Sequence, residues 1–358
     1  MSTHTASLLQ FNEQRYAPPS LLFQWHVTER CNLRCAHCYQ DNYARDELSF
    51  AELLNILAQF KALLAALSQR RGKRIRAHIT VTGGEPFARR DFIDLLEVFA
   101  AHRALFSFAI LTNGVFIDAA LAQRLSKLAP SFVQVSIEGT AATHDSIRGE
   151  GNFAQTVAAI KRLRRARIRT LISFTAHRKN FREFREVAKL GRRLRVDRVW
   201  ADRLIPWGSG AKLRQLVMTP AETKAFFEIM EQAQTEAKRA WFNRTEIAMH
   251  RALQFLVGGG RPYHCTAGDT LLTVQPNGDL YPCRRMPIRV GNLLERPMLE
   301  LYDNSALLRQ LRSPLQVSEG CQDCFYAKLC RGGLKCLAYA VKCSPFKADP
   351  GCWLLNND

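Results

Sequence analysis

The chain has 358 residues, 47% hydrophobic and 23% charged, which fits a globular α/β protein of one large or two smaller domains and excludes a disordered or fibrous chain. Its formal net charge of +19 leaves nucleic acid, an acidic peptide or a solvated basic surface open as explanations. No secretory signal or bilayer-long apolar run stands out, so a cytoplasmic location without membrane contact is expected, and the 11 cysteines read as metal ligands rather than disulfides.

Residues 1–20 form a polar arm with Pro18-Pro19. A first strand is expected over 22–28, and Ser49 with Glu52 signs the start of a helix carrying Phe50, Leu53, Leu54, Leu57 and Leu64 on one stripe. Strands follow at 76–82, 106–112, 132–138, 168–175 and 197–204, with helices at about 91–102, 118–128, 153–166 and 182–194 between them. Six strands alternating with helices predict a parallel sheet of βαβ units, open or curled into a partial barrel. Residues 221–257 read as a helical bridge without cysteine. From Cys265 onward the chain changes character, with short apolar runs, the turn pair Asn277-Gly278 and eight cysteines. The boundaries drawn are an arm over 1–20, an α/β barrel over 21–215, a bridge over 216–264 and a cysteine-rich domain over 265–358.

Cys31, Cys35 and Cys38 follow the first strand in a C-x₃-C-x₂-C spacing. Three thiolates this close can hold three corners of a four-iron cubane and leave the fourth iron open to a ligand. A zinc site short of a ligand, or three structural cysteines, would use the same residues. The neighbouring strand ends decide between these readings, because ligand sites of α/β sheets gather at the carboxyl ends of the strands. Thr82-Gly-Gly-Glu-Pro86 follows the second strand, Leu111-Thr-Asn-Gly114 the third and Val135-Ser-Ile-Glu-Gly139 the fourth.

In this order, behind that cysteine triad, the motifs resemble those of radical S-adenosylmethionine (radical SAM) enzymes over about residues 22–204. The resemblance implies a partial (β/α)6 TIM-like barrel, S-adenosylmethionine (SAM) and a [4Fe-4S] cluster on Cys31, Cys35 and Cys38. It implies SAM contacts from Gly83, Gly84, Glu85 and Pro86, from Asn113, from Ser136 and Arg148, and from His37 beside the adenine. The last 94 residues resemble the SPASM extension of that family, on Gly278-Asp-Leu-Tyr-Pro-Cys283 and Cys330-Arg-Gly-Gly333. That extension implies two auxiliary [4Fe-4S] clusters. Cys321, Cys324, Cys330 and Cys352 would hold one. Cys265, Cys283 and Cys336 would hold the other, with Cys343 or an exogenous group as fourth ligand. Leu334 stands where the family carries a cysteine, and Cys336 is expected to replace it. A zinc ribbon is the competing reading of these cysteines.

The implied activity is reductive cleavage of SAM to a 5′-deoxyadenosyl radical and hydrogen abstraction from a substrate, here expected to be a ribosomally made peptide or protein side chain. Radical chemistry on a small molecule is one alternative. An iron–sulfur electron-transfer or redox-sensing protein that does not cleave SAM is another. No residue is singled out as the catalytic acid or base. Sulfatase maturases of this family carry aspartate directly after the Tyr-Pro-Cys motif; here Arg284 follows Cys283, and Arg284 and Arg285 read either as carboxylate binders or as solvated cations. Expected partners are the peptide, a separate leader-binding protein and a reductant such as flavodoxin or ferredoxin. Nucleic acid is disfavoured because no aromatic platform stands beside the basic runs in the sequence. Those runs, at 70–76, 161–169 and 192–198, fall in helix-to-strand connections on the barrel face opposite the cysteine triad.

Overall fold

A computed structural model describes residues 16–44 and 46–355. Most of the arm expected over 1–20 lies outside them. The core is one ten-stranded sheet in the order β10-β9-β8-β1-β2-β3-β4-β5-β6-β7. The first six strands are β1 (Ser20–His26), β2 (Arg76–Thr82), β3 (Ser107–Thr112), β4 (Val133–Ser136), β5 (Thr170–Ala176) and β6 (Arg198–Arg203), all parallel. Helices α1 (Phe50–Arg71), α2 (Phe92–Ala101), α3 (Ala119–Leu128), α4 (Ala141–Arg148), α5 (Asn152–Arg165) and α6 (Phe184–Arg193) supply the crossovers.

Side chains alternate across a strand, and register turns that alternation into two faces. On one face Trp25, Val81, Ile110 and Val133 lie side by side, then Val135, Ile172 and Val199, all fully buried. The other face carries Gln24 beside Thr80, Ser136 beside Ser173 and Trp200, and Thr175 beside Asp202. A parallel sheet packed on both sides reads apolar on both. The polar row therefore marks a face turned toward a cavity rather than toward helices.

Helix α1 starts at the expected capping box of Ser49 and Glu52 and stops at Gly72, which takes φ 67° where a side chain would be strained. It buries Leu53, Ile56, Leu57, Phe60, Leu63, Leu64 and Leu67, the stripe that covers the sheet. By length and composition α1 is apolar enough to cross a membrane, which the sequence reading had not found among its runs. In the fold that apolarity is consumed by packing.

The bridge holds more than helix. Helix α7 (Pro220–Arg239) is followed by β7 (Glu246–Ala248), which pairs parallel with β6 and ends the sheet. Three residues are too few to show a strand period, so sequence alone read this segment as helical. The cysteine-rich segment adds three strands at the opposite end. Strand β8 (Leu271–Val274) lies parallel to β1, with Phe23 opposite Leu272. It turns through Gly278, at φ 88°, into β9 (Asp279–Tyr281), which pairs with β10 (Gly291–Asn292). The two halves of the chain therefore share one sheet.

Candidate active site

Three chain segments fix the cysteine loop. After β1, the carbonyls of Thr28 and Arg30 accept from the N–H groups of Gly84 and Glu85, each at 2.8 Å. A Cβ on Gly84 would fall on the Arg30 and Glu29 carbonyl oxygens, and one on Gly83 on that of Thr28, so only glycine lets the two loops touch. Buried Arg89 ties the same region from below, donating to the carbonyls of Val27 (3.0 Å) and Leu48 (2.8 Å) while pairing with Asp91. On the far side Ala36 N–H bonds the Ile147 carbonyl at the end of α4, and Gly210 N–H bonds that of Cys38.

Cys31, Cys35 and Cys38 line one cavity of about 170 Å³ with Gly83, Gly84, Asn113, Ser136, Arg148 and His37. The loops after β1, β2 and β3, the end of β4 and the end of α4 thus bring nine of the expected site residues together. Donors reach two of the sulfurs: Leu33 N–H lies 3.4 Å and Asn113 Nδ2 3.9 Å from Cys31 Sγ, and Arg148 Nη1 lies 3.8 Å from Cys35 Sγ. Burial pushes the Cys31 thiol up to about 11 and raises Cys35, against the pull of Arg148. Bare thiolates are thus disfavoured here, and an iron cation is the kind of charge that restores them.

Glu85 and Pro86 do not line the cavity. The Glu85 carboxylate is fully buried and occupied: Oε1 accepts from Thr112 Oγ1 (2.7 Å) and Phe87 N–H, and Oε2 from Asn113 N–H (2.7 Å). Burial raises it to about 7 despite these bonds. It joins the end of β2 to the end of β3, and Pro86 opens a short 3₁₀ turn behind it. The turn that brings Gly83 and Gly84 to the cavity points the next side chain inward, so in this fold Glu85 and Pro86 stand behind the wall rather than in it.

Arg148 lies in the wall, yet its guanidinium is engaged by Glu138, with Nη2 at 2.5 Å and Nε at 3.1 Å from Oε1. His37 Nε2 stands 3.2 Å from the same oxygen, and Thr175 N–H bonds Oε2. Burial opposes ionisation of Glu138, but Arg148 and His37 hold its carboxyl well below the usual range. Glu138 is the hub the sequence reading missed, although it lies inside the noted Val135–Gly139 motif. Part of the remaining wall also lies outside every motif. It includes Trp200, which donates to Gln134 at 2.9 Å, buried Asp202, which pairs with Arg285 at 2.7 Å, and Arg203, bidentate on Asp349. Arg284 faces the same cavity with its guanidinium 5.1 Å from the Tyr39 ring centre.

The other cysteines fall into two sets. Cys265, Cys283 and Cys336 are buried and within each other's electrostatic reach, their neighbours adding to the rise that burial imposes on Cys265 and Cys336. Cys321, Cys324, Cys330 and Cys352 form the second set, with burial lifting Cys321 to about 11 and Cys330 to about 12. Cys343 belongs to neither. It is the exposed cysteine, at φ 59° on the C-cap of the helix Lys335–Lys342, and stands apart from both buried sets. Among the described residues no three His, Cys, Asp or Glu side chains converge closely enough to share a single metal ion. A cubane asks for a different arrangement, one thiolate for each iron corner. The triad and the four-thiol set fit that requirement in donor type and number. The set of Cys265, Cys283 and Cys336 supplies three corners.

The radical SAM superfamily profile matches residues 25–191, and the SPASM profile, an iron-sulfur cluster-binding domain, matches residues 265–325. The chain is 29% identical to the mycofactocin maturase MftC of Mycobacterium ulcerans, over 98% of this chain and 92% of that one. It is 26% identical to the AdoMet-dependent heme synthase of Methanosarcina barkeri, over 92% of this chain and 95% of the other. In fold it is similar to anSMEcpe, solved with bound AdoMet, at a TM-score of 0.73 and 20% identity, over 94% of this chain and 91% of that one. With both profiles on the segments that carry the thiol sets and the cavity, this chain belongs to the radical SAM superfamily, as a SAM-dependent iron–sulfur enzyme with a SPASM domain.

Proposed function

We propose that this enzyme is a maturase that modifies a side chain of a ribosomally made peptide or protein. The observation that carries the reading is the convergence on one cavity of the cysteine triad, a polar strand wall, and Arg284 and Arg285 from beside Cys283. The maturase relative, aligned over nearly the whole chain, supports a peptide as substrate. When bound, the cluster and SAM supply a 5′-deoxyadenosyl radical, and the protein directs it to one C–H bond.

In this reading Cys31, Cys35 and Cys38 hold the cluster, and Gly83, Gly84, Asn113 and Ser136 meet SAM at the cavity wall. Arg148, His37 and Glu138 act as one rigid unit that places two cationic or polar groups beside the thiols. Cys265, Cys283, Cys336 and Cys321, Cys324, Cys330, Cys352 hold the auxiliary clusters. The barrel, bridge and SPASM limits at 215 and 264 serve as working boundaries for variants. A reducing, cytoplasmic compartment suits eleven thiols, and a flavodoxin- or ferredoxin-like donor would supply the electron.

Radical chemistry on a small carboxylate is the second reading. It is favoured by the heme synthase relative and by Arg284, which has no carboxylate partner among the described residues. The two separate in one experiment. The reconstituted enzyme is incubated with SAM, dithionite and fractions of a deuterium-labelled lysate. Deuterium appearing in 5′-deoxyadenosine only with the peptide fraction supports the maturase. Deuterium only with the small-molecule fraction overturns it.

A further inference from the structure

The base of the barrel, opposite the cysteine loop, carries an unusual surface. Between α7 and β7 the chain turns through Trp241 and Phe242, which are 91% and 92% exposed. Their loop and the end of α6 enclose a groove that also takes in Arg192, Arg193, Arg195 and Arg244. The groove's two carboxylates are already matched: Asp197 by Arg164 at 2.5 Å and Glu186 by Lys189 at 2.7 Å. Those four arginines have no carboxylate partner among the described residues, so the groove holds uncompensated positive charge around two bare rings. Tryptophan and arginine are the side chains that most often dominate binding at an interface, and solvation alone accounts for exposed arginines but not for two exposed rings.

The groove also leads somewhere. Arg244 and Thr245 line a second groove that follows edge strand β7 past Arg251 to Tyr263 and His264. Tyr263 lies within electrostatic reach of both Cys265 and Asp202, and Asp202 lines the central cavity. From Arg198 at the base of β6 to Asp202 is about 13 Å at roughly 3.3 Å per residue. An extended chain of about four residues covers that rise.

We propose that this basic, aromatic groove docks an acidic, partly apolar peptide segment that lies outside the reacting part of the substrate, and that the β7 groove carries the chain from there toward the cavity. The proposal rests on the peptide reading above. A linear partner is favoured over a membrane because the patch is a groove that continues along the sheet edge. It is favoured over single-stranded nucleic acid, which also uses basic grooves with rings, because the path follows the terminal strand β7, an edge that an extended polypeptide can pair with and a nucleic acid cannot.

The test uses the full chain and a fluorescein-labelled 20-residue peptide of Glu and Leu, followed by anisotropy at low and high salt. Arg192→Glu/Arg193→Glu and Trp241→Ala/Phe242→Ala should each weaken binding at least tenfold. Lys73→Glu/Arg74→Glu makes the same charge change on exposed residues elsewhere and should leave binding within about twofold, since neither residue lies in the groove. Wild-type emission, less that of Trp241→Phe, should shift on binding. Equal loss in the Lys73/Arg74 variant overturns the proposal, because binding would then follow net charge. Competition by oligo-dT or by vesicles containing phosphatidylserine that outmatches unlabelled peptide overturns it in favour of those ligands. SAM cleavage without substrate should be unchanged in both groove variants. Loss of all SAM cleavage in the wild type would strike the functional reading instead, and leaves the binding result to be judged by itself.

Discussion

Single atoms decide whether the cysteine loop closes. Gly84 touches the carbonyls of Glu29 and Arg30 so closely that Gly84→Ala must move backbone, not a flexible side chain. The variant should lose SAM binding and about 2 kcal/mol or more of stability, read by equilibrium dialysis and urea unfolding; unchanged SAM affinity would show that the loops separate without cost. Glu138 makes a pH prediction. Its folded-state pKa is depressed below 4.5 by Arg148 and His37, so its contribution is present above the unfolded value and is lost as pH falls from about 4.5 through the folded value. Glu138→Gln should therefore be destabilised near pH 7, and its gap to the wild type should shrink progressively below about pH 4.5 in denaturant midpoints. A constant gap over that range would mean the carboxylate charge is not what matters. Sequence showed the cysteines and glycines because their spacing and backbone demands are local. It did not show that Glu85 turns inward or that Glu138 joins Arg148 to His37, since both depend on where distant strand ends meet.

Elements explain why the auxiliary half cannot be treated as an appendage. Strand β8 pairs with β1, and Arg203 at the end of β6 makes two bonds to Asp349, at 2.8 and 2.5 Å, in a fully buried pair. Asp349 in turn accepts from the N–H groups of Leu334 and Gly351, beside Cys336 and Cys352. Removing one partner leaves a buried charge, so Asp349→Asn should cost about 3–5 kcal/mol and lower auxiliary iron before it affects the triad. Full auxiliary iron and wild-type stability would relegate the pair to a bystander. Cys343 gives the opposite expectation. On the exposed end of its helix it should be dispensable, and Cys343→Ala should keep all its iron and an unchanged auxiliary spectrum. The alternation of strands and helices was readable because each element is long enough to show its period. The three-residue β7 and the eight-residue α4 were not, and the sheet's extension by β8 is a long-range pairing that no local pattern records.

At the scale of the whole molecule, charge and chemistry are separated. The triad, the polar strand wall and the auxiliary thiols lie toward the carboxyl ends of the strands, while the basic connections lie at the base. Of the basic runs, part is spent inside the fold: Arg70 pairs with Asp303, Arg164 with Asp197 and Arg198 with Glu246. The rest faces outward near Trp241 and Phe242, rings that only the fold places beside Arg192, Arg193 and Arg195, because the contact joins distant stretches of the chain.

The central claim is that Cys31, Cys35 and Cys38 carry the cluster that cleaves SAM, with separate clusters behind them. Anaerobic reconstitution, iron analysis and chromatography of 5′-deoxyadenosine under dithionite test it together on the wild type and on a Cys31→Ala/Cys35→Ala/Cys38→Ala variant. The wild type should hold about twelve irons and form 5′-deoxyadenosine; the variant should lose about four irons and all cleavage while keeping its auxiliary spectra. Continued formation of 5′-deoxyadenosine by the triple variant would contradict the account.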